Sequence, residues 1–123
     1  VQICEMKYFI LILKFLTLIS CSKNEQIKNK FVKKEIQGKE IFKSNCNACH
    51  IMGKDLIGPD LTGIRKKRDK EWLKKFISNS QGLIESGDKE AIKIWEEYNR
   101  IPMQSFSFTE EEFEHLYDYL KKN

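Results

Sequence analysis

Cys46-Asn47-Ala48-Cys49-His50 is the stretch on which the reading of this chain turns. Two cysteines separated by two residues sit on one turn of backbone, and the imidazole that follows projects beside them. Three chemistries use such a pair. A zinc site takes C-x-x-C as half of a tetrahedral set and needs two further ligands. A thioredoxin-like redox pair follows a strand and opens a helix within a βαβ unit. Covalent haem attachment uses two thioether bonds to the vinyl groups, with the next residue, a His, on iron. There is no second C-x-x-C, and the only unused candidates in the expected mature chain to complete a zinc set are His115 and carboxylates. No β-rich segment flanks the motif. The pattern predicts one haem c, bound through Cys46 and Cys49, with His50 as an axial iron ligand.

The surrounding sequence reads as helices. Gly38 and Phe42 lie eight and four residues before Cys46, a row on one helical face. At the other end, Thr109-Glu110-Glu111-Glu112 is a capping box, with Phe108 and Phe113 in the positions of a hydrophobic staple. Acidic residues fill the first turn of that helix and Lys121-Lys122 the last, which suits the helix dipole. Phe113, Leu116, Tyr117 and Leu120 make its apolar stripe. His115, between Glu112 and the end of that helix, is expected to face solvent. Two further helices are predicted at about Asp69–Ser78 and Asp88–Tyr98, each capped by its aspartate. Trp72, Leu73, Phe76 and Ile77 in the first, and Ala91, Ile92, Ile94 and Trp95 in the second, recur at helical spacing and read as core.

With these motifs in this order, Gly38–Lys122 resembles the class I monohaem c-type cytochromes. The resemblance implies an all-α fold, a small helical domain wrapped around one covalently attached haem. It implies that Gly38 permits close crossing of the first and last helices, with Phe42 packed between that crossing and the haem. Leu116-Tyr117-Asp118-Tyr119-Leu120 matches the family's closing Leu-x-x-Tyr-Leu, which makes Tyr119 the partner of Gly38 and Phe42. Gly58-Pro59-Asp60-Leu61 resembles the family's Gly-Pro-x-Leu, in which the Pro59 carbonyl would accept a hydrogen bond from the His50 ring. Trp72 and Arg65 become candidate haem-propionate contacts. Met103 lies in the loop where the family carries its distal methionine, although here Pro102 precedes it where a Pro usually follows. Met52, two residues past His50, is too close to reach the opposite haem face.

His/Met ligation favours ferrous iron, and a closed six-coordinate haem leaves no place for a substrate. The implied function is electron transfer by Fe(II)/Fe(III) cycling, without catalysis. The implied partners are respiratory: a quinol-oxidising complex on one side and a terminal oxidase or respiratory reductase on the other. The alternative is a haem enzyme or gas-binding sensor, peroxidase-like, with an open or labile sixth position.

The N-terminal part has a different character. From Met6, the expected true start, a lysine and a short apolar run lead to Leu18-Ile19-Ser20-Cys21. This resembles a bacterial lipoprotein signal, with Cys21 the lipid-bearing first residue after cleavage. No stretch reaches the ~18 consecutive apolar residues of a membrane-spanning helix. The expected organisation is upstream residues and signal peptide over 1–20, lipidated cysteine and polar tether over 21–30, and the cytochrome domain over 31–123. It places the protein on the periplasmic or cell-surface side of a membrane, held there by its lipid.

The whole chain has 123 residues, 41% of them hydrophobic, enough for one domain. A net charge of +4 and a pI near 8.8 are too mild for a nucleic-acid binder. The positive charge concentrates in Arg65–Lys75, opposite in sign to the acidic final helix. That stretch is either solvated surface or a patch that steers an acidic partner.

Overall fold

The computed structural model describes residues 25–30 and 32–121. Cys21, the apolar run before it and Lys122 lie outside the described residues. The chain divides into two units, 1–33 and 34–123. In the first, residues 25–30 and 32–33 are helical and exposed.

The second unit is all-α. Its helices are α1 (34–45), α2 (Ile64–Lys67), α3 (Lys70–Glu85), α4 (Lys89–Glu97) and α5 (Glu110–Tyr119). The described residues hold no strand, and a single antiparallel bridge joins Ile51 to Lys54.

Local chemistry sets the helix starts. The Asp69 carboxylate accepts the Trp72 amide at 2.8 Å and the Asp88 carboxylate the Ala91 amide at 2.8 Å. Each satisfies one of the donors that an α-helix leaves unpaired at its N-terminus. At α5 the capping box is complete: the Glu112 amide donates to the Thr109 hydroxyl, and the Thr109 amide donates to the Glu112 carboxylate. These bonds hold the Glu112 carboxyl below the usual carboxylate range. Helix α5 closes at Tyr119 with Leu120 as its cap, so Lys121 falls past the last turn it was expected to occupy. Helix α3 breaks at Asn79, where φ is −160° and ψ 78°. Its straight part ends at Ser78, the residue at which the hydrophobic pattern stops.

The core forms where α1 crosses α5. A Cβ on Gly38 would stand 2.1 Å from the His115 carbonyl oxygen and 2.9 Å from the Tyr119 Cβ. Only a glycine lets the two backbones meet this closely. One turn further along α1, Phe42 packs on Leu116 and Leu120, and its ring centroid lies 5.3 Å from that of Tyr119. Ile41, Met52, Leu61, Ile64 and Phe108 close around this cluster.

His115 corrects an expectation. It is 6% exposed, buried on α5 with its Nε2 3.8 Å from a Glu111 oxygen. The stripe analysis gave α5 one apolar face, but the helix is covered on two sides. The crossing at Gly38 brings α1 over the His115 backbone.

The second side is covered through charge. Lys70 pairs with Glu114 and Lys74 with Glu110, joining α3 to α5. Arg65 lies 3.6 Å from Asp118, donates to the Tyr117 carbonyl at 2.9 Å and stacks 3.7 Å above the Tyr117 ring. Arg68 pairs with Glu90 at 2.6 Å and Lys34 with Asp118 at 2.8 Å. Four of the seven basic residues in Arg65–Lys75 are thus tied to acids of other helices, and the sequence-level charge separation becomes a set of interhelical pairs. Lys74 holds the Glu110 carboxyl below its ordinary range, and Glu110 holds the Lys74 ammonium above its own.

The crossing yields a direct test. Gly38→Ala forces backbone or α5 to shift and is expected to cost about 1–3 kcal/mol, the usual range for overpacking. Denaturant unfolding of the haem-loaded protein measures it, and unchanged stability would mean that the helices do not meet at Gly38.

Candidate functional site

The residues after α1 turn back on it at once. The Cys46 and Asn47 amides both donate to the Phe42 carbonyl, at 2.8 and 3.0 Å. The Cys49 and His50 amides then donate to the Cys46 carbonyl, at 3.1 and 2.9 Å. One tight turn therefore carries both thiols and the imidazole, at a point fixed by Phe42 in the core. The two cysteines form no disulfide, and Cys49 is exposed while Cys46 is partly covered. Burial first, then the neighbouring Cys49, pushes the Cys46 thiol up to about 11.

His50 is buried, and its Nδ1 lies 3.0 Å from the Pro59 carbonyl oxygen. A carbonyl only accepts, so Nδ1 carries the proton and Nε2 keeps a free lone pair, the tautomer an iron ligand needs. The ring also rests against Gly58, where a Cβ would stand 2.4 Å from the His50 Cε1. Proline and glycine thus act together, one orienting the ring and the other making room for it. The loop that presents them is pinned by two aspartates. Asp60 accepts the Gly53 and Thr62 amides, both at 2.8 Å, and Asp55 accepts the Asp60 amide at 2.7 Å. Hydrogen bonds from Thr62 hold the Asp60 carboxyl below the usual range.

Cys46, Cys49 and His50 open onto a cavity of about 370 Å³. Its walls are largely apolar, with Leu73, Phe76 and Ile77 from α3, Ile94 and Trp95 from α4, and Leu116 from α5. Met103 lines the same cavity and is half-buried. Met52 and His115, the other candidates for a sixth ligand, do not line it. Arg65 is also absent from its walls, its guanidinium being committed to Tyr117 and Asp118. Trp72 does line it, but its indole N–H is directed at the Asp88 carboxylate, 3.2 and 3.3 Å from the two oxygens. Arg65 and Trp72, the candidate propionate contacts, thus both have protein partners, and of the two only Trp72 lines the cavity.

The loop around Met103 is held by Ser80, which lies outside the helices predicted from sequence, and by Ile77 and Trp95, whose spacing reads only as core. The Ser80 hydroxyl donates to the Met103 carbonyl at 3.1 Å, and the Phe106 amide donates to the Ile77 carbonyl at 3.1 Å. The Trp95 indole donates to the Arg100 carbonyl at 2.8 Å. Asn99 and Arg100 both take φ 57°, a left-handed backbone uncommon for residues with side chains. The signal for Ser80 was available in Asn79-Ser80-Gln81-Gly82, a helix N-terminal pattern just past the helix predicted to end at Ser78.

Among the described residues, no three His, Cys, Asp or Glu side chains converge as ligands for a metal ion. The lining instead suits a flat apolar macrocycle: two cysteine sulfurs beside its edge, an imidazole nitrogen within reach of its metal, and apolar walls for its faces. A small all-helical protein with this cavity is a haem-binding domain of the c type. Residues 36–123 match the cytochrome c family, and the chain belongs to it.

Solved structures agree. A cytochrome c from Rhodothermus marinus is 25% identical with a TM-score of 0.67, covering 74% of this chain and 77% of its own. The cytochrome c domain of a Pseudomonas putida protein is 31% identical with a TM-score of 0.62, over 69% of this chain and 85% of its own. An engineered form of the Rhodothermus marinus protein, bound to a carbene intermediate, is 26% identical with a TM-score of 0.63, covering 74% and 77%. Comparison with curated proteins finds no match. The cofactor of this family is covalently bound haem c, and its general activity is electron transfer.

Proposed function

We propose that this protein is a one-haem electron carrier in which Cys46 and Cys49 form the thioethers and His50 and Met103 take the two axial positions. The observation that carries the reading is the shared cavity: Met103 lines it together with the C-x-x-C-H turn, and Met52 and His115 do not. Bound there, the haem supplies a one-electron Fe(II)/Fe(III) couple. The chain's own residues do the rest. Pro59 and Gly58 fix the His50 ring, and the apolar walls keep water from the site. With both axial positions filled by protein, no site is left for a substrate.

The cavity lining supports a carrier as well. Ile57 and Ile101 line the cavity and are each about half exposed, at 47% and 48%. Side chains that are both part of the cavity wall and open to solvent offer an apolar rim through which a redox partner approaches the haem edge. Because much of Arg65–Lys75 is paired internally, contact at this rim is the better-supported mode of docking. The partners proposed are respiratory, a quinol-oxidising complex as donor and a terminal oxidase or reductase as acceptor.

Cytochrome c domains are typically extracytoplasmic. No helix among the described residues is long and apolar enough to cross a membrane. We place the domain at the outer face of a bacterial membrane, anchored by lipid on Cys21. Labelled fatty acid is expected in the exported protein and not in Cys21→Ser, and equal labelling of the two would refute the anchor.

The axial assignment has a separate test. Met103→Ala should keep haem attached while abolishing the sulfur-to-ferric-iron charge-transfer band, lowering the reduction potential and admitting carbon monoxide. A band that persists in the variant would exclude Met103 as the ligand.

A further inference from the structure

Helix α3 is interrupted where its neighbours need it to be. Asn79 leaves the helix at φ −160° and ψ 78°, and its side-chain oxygen accepts the Gly82 amide at 2.9 Å. That is the geometry of an N-cap, so the chain ends one helical segment at Ser78 and starts another at Ser80. The fit is close: a Cβ on Gly82 would stand 2.4 Å from the Asn79 Nδ2. A break inside a helix sacrifices regular backbone bonding, so the groups on either side of it need other partners.

Both sides of this break bond to one short segment. Before it, the Ile77 carbonyl accepts the Phe106 amide at 3.1 Å. After it, the Ser80 hydroxyl donates to the Met103 carbonyl at 3.1 Å. Ser80 is 1% exposed, and Ile77 and Ser80 both line the cavity. The four residues from Met103 to Phe106 are therefore bound to α3 at their first and last positions. In an unbroken helix Ile77 and Ser80 would still share a face, but the Ile77 carbonyl would be engaged by the Gln81 amide instead of the Phe106 amide.

We propose that the break at Asn79 is a two-point clamp on segment 103–106, and that Ser80 is a positioning residue setting how firmly Met103 stays over the iron. The proposal rests on the axial role given to Met103. The clamp acts on the backbone of the ligand, not on its sulfur. Loosening it leaves the Met103 bond intact on average but raises the fraction of time that the sixth position is open. The same sequence feature thereby controls whether the domain behaves as a closed carrier or as a haem that admits small ligands.

Cyanide binding to the ferric, haem-loaded protein reads this fraction, because cyanide enters only when Met103 has left. Ser80→Ala is expected to retain the charge-transfer band and to bind cyanide about fivefold faster, the factor carried by one hydrogen bond of about 1 kcal/mol. Thr109→Ala is the control. It removes a helix cap of comparable worth that makes neither clamp bond and should not accelerate cyanide binding. An unchanged rate in Ser80→Ala, or equal acceleration in Thr109→Ala, overturns the clamp. Should Ser80→Ala not yield haem-loaded protein, Asn79→Ala carries the same comparison, with acceleration supporting the clamp and an unchanged rate overturning it. A wild-type protein without the charge-transfer band refutes the Met103 assignment itself and removes the proposal with it, which separates the two failures.

Discussion

The contact between the Gly38 backbone and the His115 carbonyl is the constraint on which the rest of the structure depends. With no room for a Cβ at that point, α1 and α5 cross at one place only. The crossing puts Phe42 onto Leu116 and Leu120, and the Phe42 carbonyl then receives the amides of Cys46 and Asn47. The position of both thiols and of His50 is thus inherited from a glycine eight residues upstream. The loop after His50 returns to the same turn through the Gly58 amide, which donates to the Cys49 carbonyl at 2.9 Å, and so brings Pro59 to the ring. Packing energy in one small core is converted into the orientation of the imidazole proposed as the iron ligand.

Around that crossing the protein divides its work between apolar and polar contacts. Among the described residues only six hydrophobic side chains are buried, a small core for a unit of this size. Many of its other apolar side chains, including Trp72, Phe76, Ile77 and Ile94, face the cavity, so covalent haem joins the core as well as the site. The acid and base pairs among α2, α3 and α5 hold the outer surface in register where apolar contact is scarce.

What was legible in the sequence was what depends on neighbours along the chain. The capping box at Thr109 and the aspartate caps at 69 and 88 need only three residues of context, and the described helices begin where these place them. The C-x-x-C-H turn and the Gly58-Pro59 pair were legible because their spacing is short. His115 was misjudged because its burial comes from α1, whose path over α5 no local pattern states. The basic stretch Arg65–Lys75 posed the same difficulty. As a run it resembles a docking patch, and only the fold reveals that Glu110, Glu114, Asp118 and Glu90 take up much of it. Ser80 escaped notice because a serine just past the end of an apolar helical pattern acquires meaning only when Met103 is brought against it.

The central claim is that this fold exists to hold haem covalently on the turn that α1 delivers to the cavity. Alkylation of the unfolded, matured protein, followed by mass spectrometry, tests it directly. The account predicts that neither Cys46 nor Cys49 is alkylated and that both are recovered on a haem-bearing peptide ending beyond His50. Haem-loaded protein in which both thiols are alkylated, with haem released on unfolding, would contradict it.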